Sequence, residues 1–360
     1  TSYGRLNLYS LFAEQNRTLL APTGRAGFIV ATGIATDSFN QYYFRDLIGR
    51  GSLSSLYDFE NARPMFDGVH RSFKFSLVTL VGRSVQATRG EYAFFVHDVL
   101  DLARPGVRFQ LTPDEINLLN PNTGTCPIFR SRRDAEITLG IYRRIPVLVN
   151  ENDPENGNPW GIKFMLMFMM NTDSNLFRTR DELARDRWEL NGNVFERPLD
   201  RGAYEHMLPL YEAKMIHHYD TRWATYEPDG STRLMTADEK SGHVPPMPRY
   251  WVHESEVDRK LQGWDSEWFL GWRDITNATN ERTVIATLVP RVAAGNQMPL
   301  AFPAKALSDI GLLQASWSSF ALDFVARQKT GGTHMNFFIF EQLPVPRPGS
   351  WVGAVGHQSW

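Results

Sequence analysis

Residues 19–61 read LLAPTGRAGFIVATGIATDSFNQYYFRDLIGRGSLSSLYDFEN, and residues 65–80 read MFDGVHRSFKFSLVTL. These stretches contain short apolar runs bounded by Gly and Ser, which is typical of strands buried in a sheet. Between the first two runs, apolar residues recur at the spacing of an amphipathic helix, with Ser38 as its candidate N-cap. The pattern predicts strands at residues 26–31, 53–59 and 73–81 and a helix at residues 38–48.

The sequence on either side continues this alternation of helices and strands. Residues 6–20 carry apolar side chains at helical spacing, and residues 91–97 form a further apolar run. The run at residues 26–31 is almost wholly apolar, so we expect its strand to be buried on both faces. Alternating helices and strands are typical of a layered α/β fold, which we assign to residues 1–110.

The remainder of the chain has a different organisation. Residues 111–150 begin with a stretch that contains Pro and Asn, and they include a basic helix at residues 131–144, so we predict a connector. Residues 151–360 are rich in Trp, Tyr, Arg and Asn, and Gly and Pro interrupt their apolar runs. We therefore predict a mixed α+β domain there, with a helix at residues 312–328 and a strand at residues 336–340.

Composition limits the classes of protein to which the chain can belong. The 360 residues are 42% hydrophobic and 22% charged, which describes a folded chain with room for two domains. A single cysteine excludes an intrachain disulfide and a multi-thiolate metal cluster, and it favours a cytoplasmic location. The longest apolar run, residues 164–170, is far shorter than the roughly 20 residues of a membrane-spanning helix, so we expect no membrane partner.

Several strings in the sequence resemble the N6-adenine DNA methyltransferases, and above all the large type IIG restriction-modification and phage-defence enzymes. In those enzymes the methyltransferase and its target-recognition domain share one polypeptide. The two stretches quoted above resemble the later methyltransferase motifs. The likeness continues in collinear order through TCPIFRSRRDAEIT (125–138), PLYEAKMIHHYDTRWATYE (209–227), GWRDITNATNERTVIATLVPR (271–291) and ARQKTGGTHMNFFIFEQLPV (326–345).

The resemblance implies which parts of such an enzyme the chain contains. The family order is a cofactor-binding half, a catalytic Asn-Pro-Pro-aromatic loop, the later strands of the same sheet, and then target recognition. No Gly-x-Gly signature precedes residue 20 here, and Asn-Pro-Pro-aromatic occurs nowhere. The chain thus looks like a C-terminal part: a partial Rossmann-like methyltransferase sheet followed by a target-recognition domain.

Two expectations about cofactor and partner follow from this reading. The chain begins at Thr1 without an initiator Met, so we expect it to belong to a longer protein. We expect S-adenosylmethionine to bind the intact enzyme but not this chain alone. The expected partners are double-stranded DNA and the upstream catalytic half, which would lie on the same polypeptide or on a separate subunit.

The resemblance also assigns roles to residues of the methyltransferase part. Phe66 matches the aromatic residue that stacks on the flipped adenine, where a ring can replace part of the lost base stacking. The alternative is a core Phe in a turn between two strands. Leu8, Tyr9 and Phe12 belong to the helix that borders the methionine end of the cofactor pocket. An amphipathic helix that covers a sheet explains the same three residues without a ligand.

Basic and amide side chains are candidates for contacts to DNA. The net charge of −2 does not by itself predict a polyanion partner, so these contacts would need a local patch. Two glycines between Lys329 and His334 would let the backbone approach a phosphate, with both side chains exposed beside it. The predicted DNA-binding residues are Arg71, Lys74, Lys214, His217, Arg222, Arg273, Asn277, Arg282, Arg327, Lys329 and His334.

Structural roles are open for several of these residues. Arg71 and Lys74 could pair with a carboxylate instead of a phosphate, and Arg273 and Arg282 could pair with the acidic residues beside them in the sequence. The glycine pair could form a plain turn between a helix and a strand. None of these residues identifies a DNA contact by itself, and it is the family order that favours DNA.

Two other functions also remain open. A stand-alone, non-catalytic specificity protein that docks on a separate catalytic subunit would carry the same recognition motifs. Asp200 with Glu212 and Lys214 imitates the acidic and Glu-x-Lys elements of a metal-dependent nuclease, although Glu212 lies in a recognition string. The neighbouring His217 and His218 would point to opposite faces of a strand and could not share one ion, so we predict no metal site.

Overall fold

The computed structural model of the protein describes residues 7–63 and 65–350. The chain divides into two compact units that are interleaved in sequence. The first comprises the residues up to Asn158 together with Gln328–Gly331 and Phe338–Arg347. The second comprises Pro159–Arg327, Gly332–Phe337 and the residues from Pro348. Both units combine helices with strands, which confirms the predicted fold class of an α/β part followed by a mixed α+β part.

Helices and strands alternate along the described residues. The helices are α1 (Leu8–Thr18), α2 (Gly33–Thr36), α3 (Gln41–Gly49), α4 (Pro113–Leu119), α5 (Arg132–Tyr142), α6 (Arg180–Arg185), α7 (Ala237–Ser241), α8 (Glu254–Lys260), α9 (Leu307–Trp317), α10 (Phe320–Lys329) and α11 (Phe337–Phe340). The strands are β1 (Arg25–Ala31), β2 (Leu53–Glu60), β3 (Lys74–Val81), β4 (Gly90–Val96), β5 (Phe109–Leu111), β6 (Lys163–Met165), β7 (Glu189–Asn191), β8 (Val194–Pro198), β9 (Tyr204–Tyr211), β10 (Ala224–Tyr226), β11 (Thr232–Leu234), β12 (Trp251–His253), β13 (Trp268–Trp272), β14 (Ala286–Pro290), β15 (Ala293–Ala294) and β16 (Leu300–Phe302).

The first unit is built on a five-stranded sheet of order β1-β3-β2-β4-β5. Strand β3 pairs antiparallel with both β1 and β2, so β1 and β2 run parallel to each other. Strands β2 and β4 pair in parallel, and β5 pairs antiparallel with β4. The four strands predicted in this region are confirmed, with ends that differ by one residue.

Strand β1 lies at one edge of this sheet and pairs only with β3 in the described part of the chain. The prediction that this strand is buried on both faces is wrong, because Val30 is its one buried residue and Ile29 is 56% exposed. Helix α1 packs against β1. Its large side chains Leu8 and Phe12 are 73% and 64% exposed. Among the described residues, this edge of the sheet is therefore unpaired, and exposed apolar side chains lie on β1 and α1.

The second unit contains two larger sheets and a two-stranded pair. One sheet has the order β12-β9-β8-β7, with β15 beside β9, the other has the order β14-β13-β16-β6, and β10 pairs with β11. Residues of both larger sheets contribute to one hydrophobic core, which includes Phe168, Met215, Val252, Phe269 and Leu300. No helix within the described residues is both long and apolar enough to cross a membrane.

Two predictions for the C-terminal region are wrong. The single helix expected at residues 312–328 is two helices, because the Ser319 hydroxyl accepts a hydrogen bond from the Leu322 N–H (3.2 Å) and starts a new helix as an N-cap does. The strand expected at residues 336–340 is the helical turn α11. The side-chain amide of Gln342 donates a hydrogen bond to the backbone carbonyl of Phe338 (2.7 Å). This carbonyl therefore has a partner without the neighbouring strand that a β-strand would require.

Candidate nucleic-acid interface

The loops that follow β1 and β2 meet at one edge of the first sheet, because these parallel strands end on the same side. We call this region the carboxyl edge and define it by Thr32 after β1, the described part of loop 61–73 after β2, and Val96 at the end of β4. Ligands of open α/β sheets bind outside the carboxyl ends of the strands. Phe66, which the sequence indicated as a base-stacking residue, lies in this loop.

The buried side chain of Asn61 fixes the conformation of loop 61–73 through hydrogen bonds to its backbone. Its side chain is fully buried, and its Oδ1 accepts from the backbone N–H groups of Met65 (2.9 Å) and Phe66 (3.2 Å). Its Nδ2 donates to the carbonyls of Phe66 (3.1 Å) and Val69 (2.8 Å). One side chain therefore satisfies backbone groups on both sides of the turn and holds the Phe66 backbone in place.

The Phe66 ring is available to a ligand. It is 40% exposed, and it makes an edge contact with the ring of Phe75, at 5.0 Å between centroids. Phe75 in turn stacks on Phe59 at 5.5 Å. The alternative of a buried core Phe does not hold, because the inner positions belong to Phe59 and Phe75. The stacking role of Phe66 stays a prediction.

Lys74 and Arg71 are placed differently from each other. Lys74 forms an ion pair with Glu60 (3.1 Å), and His97 also contacts that carboxylate (2.8 Å). Burial acts to raise the pKa of Glu60, but the hydrogen bond from His97 and the charge of Lys74 outweigh it and hold the pKa below its usual value. Arg71 is exposed and has no ion pair within the described residues. Of these two cations, Arg71 is the one whose guanidinium is available to bind a phosphate.

A buried carboxyl group lies in the sheet beside this edge. Asp58 accepts hydrogen bonds from the hydroxyls of Thr32 and Ser76, the latter at 3.1 Å. Burial raises the pKa of Asp58 to about 6, even though both hydroxyls and the charge of Lys74 act to lower it. Local sequence patterns do not reveal this group, because its partners are Thr32, which follows β1, and Ser76 in β3.

A polar network ties α1 to the segment that follows β1. Asn40 is buried, and its Oδ1 accepts from the Ser10 hydroxyl (2.8 Å), while its Nδ2 donates to the Tyr9 hydroxyl (3.1 Å) and the Gly33 carbonyl (2.9 Å). Of the three residues predicted to border a cofactor, Tyr9 is thus engaged in the network. Leu8 and Phe12 remain exposed.

In the second unit, three segments predicted to bind DNA converge. The guanidinium of Arg273 donates from Nε (3.0 Å) and Nη2 (2.6 Å) to the carbonyl of Ile216, which precedes His217. Arg327 is bound to the carbonyl of Ala278 (3.0 Å), and His334 is bound to Asp274 (2.6 Å). We call this convergence the recognition surface and define it by residues 216–223, 272–283, 318–327 and 332–335.

The guanidinium groups in the recognition surface hold its loops together. Arg282 donates to the carbonyl of Ser318 (2.7 Å), and its Nε lies 3.4 Å from Asp323. Asp323 also accepts from Arg327 (3.0 Å) and from the backbone of Thr283 (2.8 Å). Because these arginines bind protein acceptors, their contribution to DNA binding would be to position the loops. The pairing of Arg273 and Arg282 with their acidic sequence neighbours is not seen among these contacts.

The exposed side chains of the recognition surface are those left to contact a ligand. Among the predicted residues, Asn277 and His334 are exposed. Sequence reasoning missed Tyr219, which is 65% exposed in a turn with φ of +56°, and Phe320, which is 81% exposed. The ring of Phe320 lies 4.8 Å from the Arg282 guanidinium. Periodicity gives no signal for either residue, because Tyr219 lies in a turn and Phe320 is the first residue of α10.

Two predicted DNA contacts are engaged elsewhere. The expectation that Lys329 is exposed is wrong: its Nζ donates to the Leu119 carbonyl (2.5 Å) and to Asn120, and burial lowers its pKa well below the usual value. Arg222 donates to the carbonyl of Lys240 (2.8 Å). Lys214 is exposed, and its ammonium lies 4.7 Å from the Tyr226 ring.

The nuclease alternative gains no support from these contacts. Glu212 accepts a hydrogen bond from the Tyr226 hydroxyl (2.5 Å), and Asp200 is exposed in a short helical turn. Within the described ranges, no group of three or more His, Cys, Asp or Glu side chains is placed to hold a metal ion. Burial and the charge of Arg282 lower the pKa of His218 to about 4.

Comparisons with known proteins give distant structural similarities. No protein-family model matches the chain, and no curated protein matches its sequence. Among solved structures the chain is similar to the type IIG restriction endonuclease BpuSI, at 13% identity and a TM-score of 0.34 over 96% of this chain and 42% of that one. It is also similar to the type IIL restriction-modification enzyme MmeI in complex with DNA (11% identity, TM-score 0.39, 86% and 36%). A third similar structure is the DrdV-DNA complex (12%, TM-score 0.36, 85% and 33%). The chain therefore spans less than half the length of each of these proteins.

Proposed function

We propose that this chain is the base-pocket and DNA-recognition portion of an S-adenosylmethionine-dependent adenine-N6 DNA methyltransferase of a restriction-modification or phage-defence system. The observation that carries the proposal is the Phe66 ring, 40% exposed at the carboxyl edge on a loop that buried Asn61 holds. This is the position at which the resemblance expects the aromatic that stacks on an extruded adenine. A ring in that position replaces stacking that the base loses when it leaves the duplex.

The sheet of the first unit supports the same assignment. Its antiparallel strand β3 lies between the parallel strands β1 and β2, and β1 pairs with β3 alone in the described part. An open strand edge next to exposed apolar side chains is a surface that proteins normally cover. We infer that the catalytic half covers it, whether that half precedes this chain or is a separate subunit.

The division of chemistry follows from the residues that this chain contains. The adenine amino group is a poor nucleophile because its lone pair is delocalised into the ring, so methyl transfer needs acceptors for its hydrogens. The Asn-Pro-Pro-aromatic loop supplies them in the resembling enzymes, and this sequence lacks that motif. We assign binding and orientation of the base to this chain and methyl transfer to its partner.

We expect S-adenosylmethionine to bind the intact enzyme and not this chain alone. Leu8 and Phe12, which are 73% and 64% exposed, could contribute apolar contacts on one side of the cofactor. The Tyr9 hydroxyl is engaged by Asn40. We therefore assign no step of the reaction to a cofactor held by this chain.

A duplex with an unpaired 2-aminopurine tests the proposal, because an unpaired base costs little to extrude. We expect the chain to quench 2-aminopurine fluorescence as the base stacks on Phe66. Phe66→Ala should abolish the quenching and weaken binding by roughly 1 to 3 kcal/mol. Phe73→Ala is the matched control, since Phe73 is 62% exposed in the same loop. Equal quenching by the parent chain and Phe66→Ala would refute the role of Phe66.

A further inference from the structure

Phe95, near the end of β4, has a backbone conformation that bulky residues rarely adopt. Its φ is +58°. The pairing of β2 with β4 explains this, because Tyr57 lies opposite Ala93 and Phe59 lies opposite Val96, so β4 contains one extra residue. Such a bulge redirects a side chain, and strained residues of this kind cluster at functional sites. The bulge lies at the carboxyl edge.

Two cations lie over the redirected Phe95 ring. The guanidinium carbon of Arg130 is 4.0 Å from the ring centroid, and the Nζ of Lys74 is 4.7 Å from it. Glu60 forms an ion pair with Lys74. Arg130 is exposed, and within the described part of the chain it has no carboxylate or carbonyl partner. The Phe95 ring thus orients Arg130 while its N–H donors remain available.

We propose that Arg130, held by Phe95, binds a phosphate of the DNA backbone at the carboxyl edge, on the face of the sheet opposite the Phe66 ring. A guanidinium matches the oxygens of a phosphate with paired donors, and one that already stacks on a ring loses less freedom on binding. Glu60 offsets the charge of Lys74, so Arg130 supplies the uncompensated positive charge at this position. The inference rests on the proposed function and adds to it the residue that fixes the DNA backbone.

The position of Arg130 relative to the base pocket is set by the sheet. Lys74 and Phe75 are neighbours in β3, and successive strand residues point to opposite faces. Phe75 supports the Phe66 ring, and Lys74 lies over Phe95 together with Arg130. The carboxyl edge thus has an aromatic contact for the base on one face and a cationic contact on the other. Sequence reasoning missed Arg130, because only the bulge brings the ring to it.

The dependence of DNA affinity on salt distinguishes a phosphate contact from a structural one. We expect Arg130→Ala in the full chain to weaken binding to a duplex about tenfold, as loss of a hydrogen bond to a charged group does. The slope of log affinity against log salt should also fall by about 1. Arg130→Lys should keep most of the slope. Arg133→Ala is the control, since Arg133 is 77% exposed and lies 3.8 Å from Glu136.

A second variant tests the Phe95 contact. Phe95→Gly removes the ring, and Gly adopts a positive φ without strain, so the fold should survive. We expect lower DNA affinity with an unchanged salt slope, and an unchanged melting temperature would verify the fold. If the parent chain binds duplex and Arg130→Ala matches it in affinity and slope, the phosphate contact is refuted and the proposed function stands. If the unsubstituted chain binds no duplex at low salt, the phosphate contact and the proposed function are both refuted.

Discussion

Single buried polar residues do much to define the carboxyl edge. Asn61 binds the turn that contains Phe66, and Asp58 joins Thr32 to Ser76 across three strands. Asp58 differs from Asn61 because it can ionise in a place that disfavours charge. Burial raises its pKa to about 6, whereas an unperturbed Asp has a pKa of about 3.9.

This difference predicts a pH dependence of stability. The protonated Asp58 favours the folded state, so its contribution is complete below about pH 4 and disappears as the pH rises through 6. Between pH 4.5 and 7.5 the contribution should fall by about 2 kcal/mol. Asp58→Asn, which can still accept from Thr32 and Ser76, should lack it. Urea unfolding of both proteins at the two pH values measures the free energies of unfolding.

The comparison with Asp58→Asn is needed because other groups titrate in the same range. The lowered pKa of His218, about 4, acts in the opposite direction, since stability from that group falls as the pH decreases. The raised pKa of Glu341, about 7, acts in the same direction as Asp58. Both remain in the variant and cancel in the difference. A pH dependence identical in the two proteins would contradict the assignment to Asp58.

A family motif pointed to Phe66, whose stacking role stays a prediction, whereas no local pattern pointed to Asn61, Asp58 or Arg130. The motif is local, whereas the importance of the other residues depends on partners that only the fold brings together. Asp58 is 26 positions from Thr32 in the sequence, and Arg130 contacts a ring that is redirected by a bulge. Conversely, Lys329 reads as a surface cation until its enclosure by Leu119 and Asn120 is seen.

Among the elements, β1 shows most clearly where local patterns stop being informative. Its apolar composition correctly predicts a strand, and the same composition wrongly predicts burial on both faces within this chain. Apolar composition indicates that a strand favours burial, but it does not show whether the described residues of this chain cover both of its faces. The helical turn α11 shows a different error, because its aromatic run predicts a strand, whereas the hydrogen bond from the Gln342 side chain to the Phe338 carbonyl favours a helical turn.

The open edge of β1 predicts self-association of the isolated chain. We expect sedimentation equilibrium to show concentration-dependent oligomers, because an uncovered apolar edge pairs readily with another copy. Ile29→Lys places a charge on this edge and should shift the chain toward the monomer. Ile137→Lys serves as the control, because Ile137 is 37% exposed on α5. A strictly monomeric parent chain at high concentration would contradict the expectation.

For the whole molecule, the proposed function predicts that this chain binds duplex DNA but does not bind S-adenosylmethionine. Titration calorimetry of this chain with S-adenosylmethionine should detect no binding at micromolar concentrations, because the sequence lacks the Gly-x-Gly signature before residue 20 and Leu8 and Phe12 are exposed. Duplex binding by the same sample should weaken steeply with salt, as phosphate contacts release counterions. Micromolar affinity for S-adenosylmethionine would mean that the chain holds a cofactor site after all, and the proposed partial enzyme would be wrong.

The interleaving of the two units limits how the second unit can be exchanged for that of another protein. From the second unit the chain returns to the first twice, through Gln328–Gly331 and through Phe338–Arg347. There the Gln342 side chain accepts from the Asn122 backbone (3.0 Å), and the Tyr142 hydroxyl donates to the Gln342 carbonyl (2.6 Å). A chimera in which every residue after Asn158 is exchanged would lose these two segments, which are part of the first unit. A graft should instead replace residues 159–327 and 332–337 and keep the native segments Gln328–Gly331 and Phe338–Arg347.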